Sequence, residues 1–477
     1  MEYEAVIGME VHVELNTKSK VFCACSTNFH APPNSNVCPV CLGMPGAMPV
    51  LNREMVRKST AVGIALNCEI ARWCKQDRKN YFYPDLAKNY QISQYDLPLC
   101  EHGHIDIVVD GKPQRIGITR AHMEEDTARN THTLGGGQSG VDFNRCGVPL
   151  LEIVTEPDIH SADQAYEYLT LLKQILQYLD VSDCNMEEGS LRAEANISVM
   201  PKGSKTFGTK TEVKNVASFN GVKKAIDFEI ARQIRVIEEG GSVVQETRGW
   251  DADRGITFSQ RKKESAHDYR YFPEPDLVPV VVSESWENEI RESMPELPQA
   301  RRARFEADYG LSVYDAGVLT STRPHANYFE AAVKAGASAK LAANWIMGDL
   351  QSLLAAEGVD LVDSPVTPEK LAGMIALIEA GTISGKIAKD ILPEIFASGK
   401  TADEIVKEKG LVQISDTGAV VAIVQQVLAD NPGQVEQFKA GKQQVMGFLV
   451  GQVMKASQGK ANPKLANDVL REELSKL

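Results

Sequence analysis

Along IGMEVHVELNT, residues 7–17, polar and apolar positions alternate, so a strand there would carry Glu10, His12 and Glu14 on one face and Val11, Val13 and Leu15 on the other. The same period recurs in MEEGSLRAEANIS, which groups Glu188, Ser190, Arg192, Glu194 and Asn196 against Leu191, Ala193, Ala195 and Ile197, and in TKTEVKN, which groups Lys210, Glu212 and Lys214. HIDIVVDGKPQRIGITR reads as a hairpin turning at Asp110-Gly111, and PLLEIVTEPD as a buried strand ending at Pro157. The period lengthens in HSADQAYEYLTLLKQILQYLD. There Ser161 is placed to cap a helix, Gln164 follows at the capping-box position, and Ala165, Tyr168, Leu172, Ile175 and Leu179 form an apolar stripe. SFNGVKKAIDFEIARQIRVIEE predicts a second such helix through Val222, Ile226, Ile230, Ile234 and Ile237. Amphipathic helices laid on strands, with few βαβ repeats, predict an α+β layer built on an antiparallel sheet.

After PEPDLVPVVVSESW the strand signals fade. The prolines of SMPELPQARRARFEADYG, just before a charged helical run, place a domain boundary near residue 295. An all-α stretch follows over 295–404, then a smaller all-α tail over 405–477, entered through SGKTADEIVKEKG. Together with an N-terminal domain over 1–294, this division suits a chain of 477 residues, more than one hydrophobic core organises.

Composition narrows the function. The first residues are acidic where a signal peptide is basic, and no apolar run is long enough to cross a bilayer, so the expectation is a soluble cytoplasmic protein without membrane contact. A net charge of −13 excludes a general nucleic-acid coat and leaves only a local basic patch. The window 437–467 could supply one: it holds Lys439, Lys442, Lys455, Lys460 and Lys464 and no Asp or Glu. It reads either as an apolar helix with lysine-flanked ends or as a track for a phosphate backbone. Nine cysteines in a chain without an export signal point to thiols or metal instead of disulfides. Cys23, Cys25, Cys38 and Cys41, within one loop at 22–42, offer four soft ligands for tetrahedral Zn²⁺. A closed set of this kind staples a loop and leaves no position open for chemistry. Cys68, Cys74, Cys100, Cys146 and Cys184 are scattered and read as buried inert thiols.

The polar strand faces carry the candidate chemistry. Carboxylates interleaved with Arg and Lys are what a metal–nucleotide site needs, because acids hold Mg²⁺ and cations hold phosphate oxygens. The plainer reading is a solvated, salt-bridged sheet, but three such strands in one half of the chain favour a cleft. ITRAHMEEDTARN adds His122, Glu124, Glu125 and Asp126; alternation groups Glu124 with His122 and puts Glu125 opposite, so which one coordinates depends on where the strand ends. DRKNYFYPD crowds Arg78 and Lys79 with Tyr81, Phe82 and Tyr83, a mixture that can stack a base or serve as core. The run Gly135-Gly136-Gly137 lacks the Lys-Ser/Thr of a P-loop, so any ATP would be held on a sheet through metals.

The stretches IGMEVHVEL, CLGMPG, DRKNYFYPDLAKNYQISQ, HMEEDTARNTH, DFNRCGVPLLEIVTEPD, MEEGSLRAEANIS, DYRYFPEPDLVP and GFLVGQVMKAS resemble, essentially end to end, the B subunits of the aspartyl/glutamyl-tRNA(Asn/Gln) amidotransferases. The resemblance implies a cradle domain similar to glutamine synthetase and guanidino kinases, a helical middle domain and a tRNA-binding helical tail. It implies ATP-dependent amidation of Glu-tRNA(Gln) or Asp-tRNA(Asn), in a heterotrimer with an amidase (the A component) that supplies ammonia and a small third chain (the C component). By matching positions it implies Mg²⁺ on Glu10, His12 and Glu125 or Glu124, with Glu188 and Glu194 at a second metal or around the first. Lys79 and Arg192 would neutralise phosphate, and Glu188, Ser190 and Lys210 would complete the nucleotide site. A zinc-stapled, non-catalytic tRNA scaffold is the alternative from another class, and a free-standing amide ligase would leave the basic tail unexplained.

Overall fold

The structure, a computed structural model, describes residues 2–131, 138–262, 269–411, 417–457, 460–461 and 463–476. The run Gly135-Gly136-Gly137 lies outside them. The chain divides into two compact units, Met1–Leu297 and Pro298–Leu477.

The first unit is built on a nine-stranded sheet. In chain order its strands are β1 (Tyr3–Glu14), β2 (Glu69–Ile70), β3 (Cys100–Val109), β4 (Lys112–Glu125), β5 (Pro149–Thr155), β6 (Leu191–Pro201), β7 (Thr211–Lys214), β8 (Glu246–Asp251) and β9 (Ile256–Lys262). They lie side by side as β9-β8-β7-β6-β1-β5-β4-β3-β2, antiparallel except for the β7–β8 pair. The expected hairpin joins β3 to β4. Val109 pairs with Lys112 across Asp110 and Gly111, whose φ values of 50° and 73° meet the left-handed requirement of a two-residue turn.

One face of the sheet is apolar because β1 alternates as its sequence dictates: Met9, Val11 and Val13 are fully buried. Three helices, α1 (Arg53–Ala65), α2 (Ala162–Tyr178) and α3 (Phe219–Glu238), contribute to the same core. In α2 the Ser161 hydroxyl accepts from the Gln164 N–H at 3.2 Å, and Ala165, Tyr168, Leu172 and Ile175 are buried, as the stripe predicts. Helix α3 departs from its stripe. Val222 and Ile226 are buried, but farther along Ile230 and Ile234 are only half-buried and Glu229 and Gln233 go inside. The sheet beneath explains the exchange, since it presents Thr211, Thr257 and the Ile197 carbonyl, which pair with Glu229 and Gln233.

A small three-stranded sheet of Asp77–Asn80, Tyr90–Ser93 and Phe272–Pro273 carries Lys79 and Gln91 to the site described below. Of the scattered cysteines, Cys74, Cys100, Cys146 and Cys184 are buried and Cys68 is half-buried. Burial pushes the thiols of Cys74 and Cys184 up to about 11 and those of Cys68 and Cys146 to about 12, which keeps them protonated and inert.

The described residues of the second unit are helical and hold two apolar clusters, one running from Phe305 to Val406 and one from Val420 to Leu474. Helices Pro432–Lys439, Val445–Ala456 and Pro463–Lys476 carry Lys439, Lys455 and Lys464 of the lysine window, and Lys442 and Lys460 lie in the connections between them. Lys439, Lys442, Lys455 and Lys464 are exposed and Lys460 is half-buried. No helix among the described residues is long and apolar enough to cross a membrane.

Candidate active site

The face of the sheet opposite the helices is polar, and its register sets the site. His12 pairs with Glu152 of β5 on one side and Arg192 of β6 on the other, and Glu152 pairs in turn with His122 of β4. The result is a row His122–Glu152–His12–Arg192 across four adjacent strands. Next to it Glu10 pairs with Glu194, and Asn196 with Glu212.

Two groups of metal-ligating side chains lie on this face. His12, Glu124 and Glu152 bring their ligand atoms within 4.8 Å of one another, and so do Glu10, Glu194 and Glu212. The first group is held from below and beside. His122 Nε2 lies 3.2 Å from both Glu124 Oε1 and Glu152 Oε2, and Glu124 accepts from Ser93 Oγ at 2.6 Å and Gln91 Nε2 at 3.2 Å. In the second, Asn196 Nδ2 donates to Glu10 at 2.8 Å, Thr247 Oγ1 to Glu212 at 2.9 Å and Lys214 Nζ to Glu194 at 2.5 Å. Side chains held in place by outer hydrogen bonds in this way could serve as ligands for a divalent cation.

His12 and Glu124 of the first group and Glu194 of the second line a cavity of about 570 Å³ together with Lys79, Asp126, Arg192, Lys214 and the aromatic side chains of Tyr81, Phe82, Tyr83 and Tyr269. Burial opposes the charge of Lys79, but Glu124, Tyr271 and Glu152 outweigh it and hold the ammonium above its ordinary value. Lys214 is kept charged in the same way by Glu194 and Glu212. Burial alone would raise Glu152, yet His12 and His122 on either side hold it well below the carboxylate range. His122, also penalised by burial, is lifted to about 9 by Glu152 and Glu124. Arg192 Nη2 donates to Asp126 at 2.5 Å, and its buried Nε has no partner among the described residues, leaving a guanidinium donor for an anion.

Of the residues singled out from sequence, Glu10, His12, Lys79, Glu124, Arg192 and Glu194 meet on this face. Glu125 does not. It is the last residue of β4 and points to the other side, where its carboxylate accepts from the Ile92 N–H at 2.9 Å and pairs with Lys88 beside the cysteine loop. Glu188 and Ser190 sit in the turn before β6, Ser190 tied to Asp183 and Asn185, and Lys210 precedes β7; none of the three lines the cavity. Glu152 was missed because it stands inside the apolar run PLLEIV, which reads as a strand buried on both faces. The signal that could have found it is that one carboxylate.

The cysteine loop brings the sulfurs of Cys23, Cys25, Cys38 and Cys41 within 4.8 Å of one another. The Cys38 N–H donates to Cys41 Sγ at 3.1 Å, so the turn already aims an amide at one sulfur. A hydrogen bond from Cys23, that amide and the charge of Lys20 hold the Cys41 thiol down to about 5, a preformed thiolate. Four converging thiols of this kind fit a closed metal site.

Comparison with known proteins follows the same division. Residues 5–288 match the profile of the GatB/GatE catalytic domain and residues 327–474 that of the GatB domain. The chain is 57% identical to the B subunit of the aspartyl/glutamyl-tRNA(Asn/Gln) amidotransferase of Carboxydothermus hydrogenoformans over all of both chains. It is 59% identical to that of Geobacter sulfurreducens and 58% to that of Moorella thermoacetica, over 99% of this chain and all of each relative.

Proposed function

Because the chain belongs to the family of aspartyl/glutamyl-tRNA(Asn/Gln) amidotransferase B subunits, we propose that its sheet cavity converts the side-chain carboxylate of Glu or Asp, esterified to tRNA, into the amide. A carboxylate expels no leaving group at neutral pH, so the reading requires activation. A carboxylate oxygen attacks the γ-phosphorus of ATP, ADP leaves, and ammonia then attacks the acyl carbon of the acyl phosphate, expelling phosphate and losing a proton. Phosphoryl transfer asks the protein for position and charge neutralisation, which Lys79, Arg192 and Lys214 offer around one cavity. His12, Glu124 and Glu152, and separately Glu10, Glu194 and Glu212, would hold Mg²⁺, which when bound supplies further charge neutralisation at the phosphates. The ammonia is read as the product of a partner glutaminase, with a small third chain completing the assembly.

The observation that carries the reading is the convergence of two carboxylate groups and three cations on one polar sheet face. On the same reading the sheet domain is similar in fold to glutamine synthetase, whose metals are held on strands. The four cysteines are read as holding a structural Zn²⁺, and the lysine tail as contacting the tRNA body.

The test is ATP-dependent phosphate release by the assembled complex, supplied with glutamine and with Glu-tRNA(Gln) or Asp-tRNA(Asn). The expected result is phosphate released in step with amide formed on one or both tRNAs. Binding of charged tRNA without either product would leave a non-catalytic scaffold instead.

A further inference from the structure

Two aromatic side chains on the cavity rim have no part in the chemistry above. Phe82 is 71% exposed and Tyr83 50%, yet both line the cavity that His12, Glu124 and Glu194 also line. They follow the strand Asp77–Asn80, whose Lys79 lines the same cavity, its Nζ 5.0 Å from the ring of Tyr269 and 5.8 Å from that of Tyr81. Other exposed aromatic side chains, such as Phe207 and Tyr314, do not line it. A large apolar ring left in solvent at the mouth of a charged cavity has a ready use as a face for another ring.

The proposed reaction, on which this inference rests, says which ring. The amino acid is esterified to the terminal ribose of the tRNA, so the reacting side-chain carboxylate is separated from that ribose by roughly 7 Å of extended chain. With the carboxylate among Lys79 and Arg192, the terminal adenine has to come to rest at the cavity edge. A base still joined to a macromolecule must also be received where the wall is open, which is where Phe82 stands. We propose that Phe82, with Tyr83 beside it, is the stacking platform for the 3′-terminal adenine of the charged tRNA. Stacking on an aromatic face is tolerant of sequence and suits an end that all tRNAs share. ATP carries the same ring, so the test separates the two sources.

In the assembled complex, tRNA carrying 2-aminopurine as its terminal base should lose fluorescence on binding, as that base does when stacked. Phe82→Ala should abolish this quenching and raise KM for charged tRNA about tenfold, with KM for ATP unmoved. Phe82→Tyr should restore both. Because the side chain is exposed, the substitution leaves the core intact. Quenching and tRNA KM unaltered in Phe82→Ala would overturn the proposal, and so would a rise in KM for ATP instead, which would give the platform to the nucleotide. Failure of the unsubstituted complex to form amide refutes the broader reading; a wild-type complex that works beside an indifferent Phe82→Ala refutes only the platform.

Discussion

Glu152 lies between two imidazoles, 3.5 Å from His12 Nε2 and 3.2 Å from His122 Nε2, and both hold it ionised despite burial. Glu152→Gln should therefore keep the shape of the site and lose its charge. The expected outcome is an amidation rate lower by about a hundredfold or a matching rise in the Mg²⁺ needed for half-maximal rate. Glu125→Gln, on the other face of β4, should leave the Mg²⁺ requirement where it is. A Mg²⁺ titration of both variants decides between them, and equal shifts would count against the His12–Glu124–Glu152 assignment. Cys41 gives a second prediction at this scale. Cys41→Ser takes away one of the four converging thiols, so on the proposed zinc reading the purified variant should contain less zinc than the unsubstituted chain by metal analysis, and its 22–42 loop should become more open to protease. Much of this site was legible in the sequence. Alternation alone puts Glu10 with His12 and Glu124 with His122, because a strand sorts neighbours by parity. It cannot say which strands lie side by side. The meeting of His12 with Glu152 depends on pairing between segments 140 positions apart, and a lone acid in PLLEIV gave nothing to pair it with.

Helix α3 shows where periodicity stops being informative. Its apolar spacing predicts Ile230 and Ile234 inside, but the interior position goes to Glu229, which is fully buried. Its carboxylate accepts from Thr211 Oγ1 at 2.7 Å, Thr257 Oγ1 at 2.9 Å and Gln233 Nε2 at 3.1 Å, and pairs with Arg232. Glu229→Ala would take the carboxylate partner from Arg232 and one buried hydrogen bond from each of Thr211, Thr257 and Gln233. The expected loss is about 3 kcal/mol of stability, read by denaturant unfolding of the chain. Glu212 follows Thr211 on β7, so the same variant should also need more Mg²⁺. The pH sense is fixed by the direction of the shift. Burial raises this carboxyl, but Arg232 and Thr211 overrule it and hold it below its ordinary value of 4.5. Its stabilisation is thus fully present above that pH and is lost as pH falls through the lowered value in the folded protein. Glu229→Gln should flatten that acid limb of the stability profile.

At the scale of the molecule, an acidic chain carries an acid-free lysine window in its second unit, while the candidate chemistry lies in the first. A tRNA is long enough to engage two sites at once. Deleting residues from 405 onward should raise KM for charged tRNA, and substituting Lys439, Lys442 or Lys455 singly should lower the salt slope of tRNA binding by roughly 0.7–0.9 each. Binding measured across a salt series checks both, and an unaltered slope would return the lysines to helix-end solvation. The row His122–Glu152–His12–Arg192 has a consequence of another kind. Its members come from four separate stretches of chain, and each reaches the cavity only because its strand is in phase with its neighbours. Parity here works as a reading frame. One residue inserted upstream in β1 turns Glu10 and His12 under the sheet and offers Met9 and Val11 to the solvent, a change to the whole strand at once. Two residues inserted together restore the facing, one step out of place. Length changes in these four strands are therefore tolerated only in the loops, where a shift in frame is absorbed before the next strand begins.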